Sequence, residues 1–95
     1  MRKYGKTDAN QAAIVQALRQ AGCQVLSLAA LGSGVPDLLV RRGGTLQLYL
    51  LEVKDGSKSA SRRKLTPDQV AFHRHWPVHI VNNVEEALLT VGALL

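Results

Sequence analysis

The chain reads as a single α/β domain, built on a mixed β-sheet flanked by helices in the order α-β-β-β-α-β-α. Three observations lead there. Capped segments with helical apolar spacing stand at the start, middle and end of the chain. Short apolar runs bounded by glycine and proline lie between them. One helix also separates two such runs, the pattern of a crossover between parallel strands.

The first helix starts near Asp8. In "DANQ" an Asp is followed three residues later by Gln11, the spacing of a capping box. Ile14, Val15, Leu18 and Ala21 form its apolar stripe, and Gly22 is its stop. "CQVLSLAAL", residues 23–31, reads as a strand and "GSG" as a break. "PDLLVRR" and "LQLYLLEVK" are two further strands, joined through Gly43-Gly44 as a hairpin. A second helix opens at "LTPDQ", with Thr66 as cap, Pro67 in the first position and Gln69 in the third. "VHIVN" is a fourth strand. "NVEEALLTVGALL" is a last helix, with Asn83 as cap and Glu86 at the capping-box position. Its apolar tail suits either a subunit interface or closure of the core.

Residues 1–95 form one domain, with no repeat or linker to mark a second. Hydrophobic residues make up 46% of the chain, enough for a modest core. The single cysteine, Cys23, excludes an intramolecular disulfide and reads as a small apolar residue. No apolar run approaches the length of a membrane span, and "MRKYGKTDANQ" lacks the apolar core of a signal peptide, so a soluble, cytoplasmic protein is expected. Net charge is +5, from 12 Lys/Arg against 7 Asp/Glu, which favours a polyanionic partner. The basic residues gather at Arg2, Lys3 and Lys6, at Arg41 and Arg42, and at Lys58, Arg62, Arg63 and Lys64. The last group lies in "DGSKSASRRKLT", expected to be a mobile arm that grips phosphates.

The hairpin carries the chemistry. Side chains alternate along a strand, so Glu52 and Lys54 project from one face together with Leu48 and Leu50. Tyr49, Leu51 and Val53 point the other way. Asp37 opens the antiparallel neighbour. It lies opposite Glu52 if the turn holds about four residues, and diagonal to it if the turn is a tight Gly-Gly pair. Either register brings two carboxylates together, and adjacent carboxylates need a proton or a cation between them. A hard divalent ion fits, since Mg²⁺ takes one or two carboxylates and leaves room for phosphate oxygens. The Val53 carbonyl can add a ligand, and Lys54 can stabilise charge on a reacting phosphate. The bland reading is an ion pair of Lys54 with Glu52 or Asp37 at a sheet edge. For His73, His75 and His79 a zinc site is not expected, because a helical His-x-His pair points its rings apart and no Cys or acid completes a set. Trp76 reads first as a packing residue.

"GVPDLLV" followed closely by "LLEVK" resembles the Asp…Glu-x-Lys signature of the PD-(D/E)XK nuclease superfamily, with its restriction-endonuclease-like fold. "TDANQAAIVQALRQAG" and "KLTPDQVAFH" extend the resemblance to stand-alone phage and bacterial VRR-Nuc domains. The resemblance implies a Mg²⁺- or Mn²⁺-dependent endonuclease, with Asp37, Glu52 and the Val53 carbonyl as metal ligands and Lys54 as the catalytic lysine. It further implies a homodimer that cuts branched DNA such as four-way junctions, in a bacterial or phage-infected cell. Many relatives carry an acid on the first helix; here its place falls on or near Gln11, with Asp8 close by, so Asp8, Gln11 or water completes the ligand set. A site-facing Gln69 is implied too, beside its local explanation as a capping residue. The alternative of another class is a catalytically silent nucleic-acid-binding module.

Overall fold

The computed structural model describes residues 9–93. The expectations for Asp8 and for the basic cluster at Arg2, Lys3 and Lys6 lie outside the described residues. In chain order the elements are α1 (Ala9–Gln20), β1 (Gln24–Ser27), β2 (Leu38–Arg41), β3 (Leu48–Val53), α2 (Pro67–His73), β4 (Val78–Val81) and α3 (Val84–Thr90). Short 3-10 turns occur at Ala29–Leu31 and Ala60–Arg63. The result is a small α/β domain with a four-stranded mixed sheet and three helices.

Strand order is β1-β2-β3-β4. The first three strands are antiparallel, while β4 joins β3 in parallel through the α2 crossover. Leu38 pairs with Leu51 and Arg41 with Leu48. Beyond Arg41, Arg42 N–H donates to the Gln47 carbonyl at 3.2 Å, which leaves four residues, Gly43 to Leu46, in the turn. Of the two registers open to the sequence, the structure has the longer-turn one. Thr45 fixes it: its hydroxyl donates to the Arg42 carbonyl and accepts from Gln47 N–H.

One face of the sheet is covered and the other is largely open. Val25, Leu38, Val40, Leu51 and Val81 form the covered face, packed with Ile14 and Leu18 of α1 and with Ala87 and Val91 at α3. The last helix therefore contributes to the monomer core, and its Leu89 remains half exposed. On the opposite face lie Leu26, Leu39, Leu48, Leu50, Glu52, Val78 and Ile80, placed there by the strand alternation. Leu26 and Leu48 are each 62% exposed, so only the Glu52 end of this face, under α2, is well shielded.

Three boundaries differ from the sequence reading. The strand expected over 23–31 ends at Ser27 and gives way to the Ala29–Leu31 turn. Consecutive alanines favour extended structure weakly, and Gly32 turns the chain at φ 60°. The last helix stops at Thr90, where Ala93 N–H and Gly92 N–H return to the carbonyls of Leu88 and Leu89. Glu86 does not complete a capping box with Asn83: its Oε1 accepts from the backbone and side-chain amides of Asn82 instead, at 2.8 and 3.0 Å. The second helix has the full expected box, Thr66 Oγ1 accepting from Gln69 N–H and Gln69 Oε1 from Thr66 N–H.

Candidate active site

The site forms where β2 begins and β3 ends. Asp37 is held on two sides. Its carbonyl accepts from Leu28 N–H at 2.8 Å, extending the β1–β2 ladder, and its Oδ2 accepts from Val53 N–H at 2.7 Å. Asp37 therefore stands beside β3 as a side-chain substitute for a ladder bond. The N–H and C=O of one strand residue point to the same side, so the Val53 carbonyl also faces Asp37. Continuing the Leu38–Leu51 register by one step puts Asp37 opposite Glu52.

Glu52 is the buried charged residue of the described chain, only 2% exposed. Burial first, and the Asp37 carboxylate second, push its carboxyl up to about 7, against the opposing pull of Lys54. Its two oxygens have different surroundings. Oε2 accepts from Gln69 Nε2 at 3.0 Å and lies 3.7 Å from Lys54 Nζ. Oε1 is buried with no hydrogen-bond partner. A buried carboxylate oxygen beside a second carboxylate is relieved either by a proton shared with Asp37, which the raised Glu52 pKa favours, or by a cation.

Gln69 joins the components. Its Oε1 accepts from Lys54 Nζ at 3.0 Å while also capping α2, and its Nε2 holds Glu52. One amide thus serves as helix cap and as clamp on both ends of Glu-Val-Lys. The loop before Pro36 makes this approach possible. Gly34 has φ 82°, and a Cβ on it would stand 2.3 Å from the Asp68 carbonyl, so only glycine lets this loop press against the first turn of α2.

The sequence reading passed over Asn10. Its Nδ2 donates to the Lys54 carbonyl at 2.8 Å and the Asn82 carbonyl at 3.2 Å, pinning the exits of β3 and β4 to α1. These partners lie 44 and 72 residues away, so no local pattern announces them. Gln11, the next residue, is half-buried and lines a groove between α1 and β1.

The basic residues separate into two locations. Arg41 and Arg42 are at the hairpin end of the sheet, opposite the carboxylates. Arg41 Nε donates to the Thr45 carbonyl, and Arg42 lies over Gly92 after α3. The arm leaves directly from the site. Within it Lys58, Arg62 and Lys64 are exposed, whereas Arg63 folds the arm back, donating to the Lys58 carbonyl and, at 3.4 Å, to Asn82 Oδ1.

Among the described residues no three His, Cys, Asp or Glu side chains converge on a point that could hold a metal. The carboxylate pair suits an ion that needs one or two carboxylates and keeps its waters, as Mg²⁺ does, rather than a zinc ion needing three or four protein ligands. His73 ends α2 with a buried, unpartnered Nε2, and burial followed by the nearby Lys54 charge lowers its pKa. Trp76 is 55% exposed and stacks on Phe72, so it is not a core residue. No protein family, curated protein or solved structure matches this chain.

Proposed function

We propose that this chain is a Mg²⁺- or Mn²⁺-dependent endonuclease that hydrolyses DNA phosphodiesters, selective for branched DNA and acting as a homodimer with a restriction-endonuclease-like core. The observation that carries the proposal is the buried Glu52 beside Asp37, its Oε1 unpartnered, with Lys54 clamped to the same glutamine. A module that only bound nucleic acid would gain nothing from carboxylates facing a polyanion, and an apolar residue at position 52 would avoid the burial cost.

In this reading Asp37, Glu52 and the Val53 carbonyl hold the metal, which when bound supplies an activated water and neutralises phosphate charge. Gln69 fixes the rotamers of Glu52 and Lys54, so that little reorganisation is needed when substrate arrives. Lys54 Nζ, 15% exposed as a side chain, turns its remaining N–H groups toward charge developing on the phosphoryl oxygens. Exposed Lys58, Arg62 and Lys64 hold the flanking phosphates. Incision of both strands needs two sites and thus two copies. The open apolar sheet face around Leu48, Ile80 and Trp76 is the surface available for the second copy. A cytoplasmic location, in a bacterial or phage-infected cell, belongs to the same proposal. No helix among the described residues is long and apolar enough to cross a membrane.

The test is cleavage of labelled linear duplex, flap and four-way-junction DNA with Mg²⁺, Mn²⁺ or EDTA. Cutting that needs metal and is lost in Lys54→Ala is expected. Absence of cutting on every substrate leaves the silent binding module. For the dimer, sedimentation should give two copies for the wild type and one for Leu48→Glu; equal masses would refute this interface.

A further inference from the structure

A second concave feature lies outside the carboxylate cluster. It is a groove of about 680 Å³ between α1 and the β1–β2 end of the sheet. Gln11, Gln16, Arg19 and Gln20 come from one side of α1, which spaces them over about 14 Å at 1.5 Å per residue. The floor is apolar, made by Val25 and Leu38, with the Ser27 hydroxyl among them.

The floor lies on the face of the sheet opposite Glu52, and both walls end at the strand ends beside the backbone of the site, so a strand leaving the site reaches the groove around the end of β2. Ser27 pairs with Leu38, and the next step of that ladder is the bond from Leu28 N–H to the Asp37 carbonyl. On the helix, Gln11 follows Asn10, which holds the Lys54 carbonyl at 2.8 Å. Neither α1 nor β1 contains a carboxylate, and Arg19 lies on the wall with one nitrogen on the Val25 carbonyl. That leaves further guanidinium N–H donors for a ligand.

We infer that this groove binds unpaired nucleotides of the DNA strand that passes through the site. The chemistry matches on three counts. The amides of Gln16 and Gln20, both exposed, match the donor and acceptor edges of bases. An apolar floor receives base faces and sugars, which a duplex keeps stacked inside. A cationic, acid-free wall tolerates the backbone. The inference rests on the nuclease reading for its substrate, and it narrows branched DNA to branches with a single-stranded segment beside the cut: flaps and splayed arms above fully paired junctions.

The experiment titrates short oligothymidine into the ¹⁵N-labelled full chain in EDTA, with nuclear magnetic resonance as the readout. Amide shifts at Gln16, Gln20 and Ser27 are expected. Gln16→Glu with Gln20→Glu, both exposed and helix-compatible, should weaken oligothymidine binding about fivefold and leave duplex binding nearly unchanged. Shifts confined to residues 57–64, or unchanged affinity in the double variant, would overturn the inference. Binding in EDTA does not depend on cutting. Groove shifts without cleavage under any metal would keep the groove and remove the nuclease; cleavage without groove shifts would do the reverse.

Discussion

At Glu52, burial and a second carboxylate act in the same direction, and the consequence is measurable without substrate. The folded chain holds the Glu52 proton up to about pH 7, whereas the unfolded chain loses it near 4.5, the ordinary glutamate value. Across that window the folded state binds more protons, so stability falls as pH rises, by up to about 3 kcal/mol, and is flat above it. On the proposed reading, a divalent ion would take the proton's place. Urea unfolding in EDTA should therefore show this decline, Glu52→Gln should remove it, and Mg²⁺ should stabilise the wild type near about pH 8 far more than near about pH 5. A pH-independent response to Mg²⁺ would count against Asp37 and Glu52 as its ligands. The positions of these residues were legible because strand alternation is fixed: Glu52 and Lys54 had to share a side, and Asp37 had to lie opposite or diagonal. The identity of the clamp was only half legible. Gln69 satisfies a local rule so well that its second set of bonds becomes visible only when α2 folds over the strand.

Helix α1 acts on the site through an amide. Asn10 joins two strand exits by their carbonyls, and the Asn82 carbonyl also accepts from Gly56 N–H at 3.1 Å. Asn10→Ala should lose about 1–3 kcal/mol, from two hydrogen bonds. It should also speed hydrogen exchange at the amides of Lys54 and Gly56 more than elsewhere. Asn10→Asp, of equal size but without the donor, should behave alike; normal exchange in either variant would show that the latch is idle. Asn10 was invisible in the sequence because hydrogen bonds across 44 and 72 residues leave no periodic trace. The elements themselves were more accessible. Caps at Thr66 and Asn83 mark helix starts, and Gly22, at φ 92°, ends α1 by returning Cys23 N–H to the Leu18 carbonyl. The early end of β1 was not accessible, since apolar Ala-Ala-Leu reads like strand until the backbone turns.

Over the whole molecule, the positive charge is unevenly useful. Along the sheet Arg41 and Arg42 lie four and five residues from Asp37, about 13 and 17 Å at 3.3 Å per residue. The arm starts at the site, and within it Arg63 is engaged in holding the fold. Neutralising Arg62 and Lys64 together should lower the salt dependence of duplex binding by about two counterions, while Arg41→Ala should change it little. An unchanged slope would show that the arm does not touch phosphate. Charge clusters are legible in a sequence, but their distance from the chemistry is set by the fold.

Cleavage of a labelled flap DNA, followed side by side for the wild type and Glu52→Gln in Mn²⁺ and in EDTA, tests the central claim most directly. The wild type should cut in Mn²⁺ alone, and the variant should lose at least about a hundredfold. Equal cutting by both proteins, or none by the wild type with metal present, would contradict it.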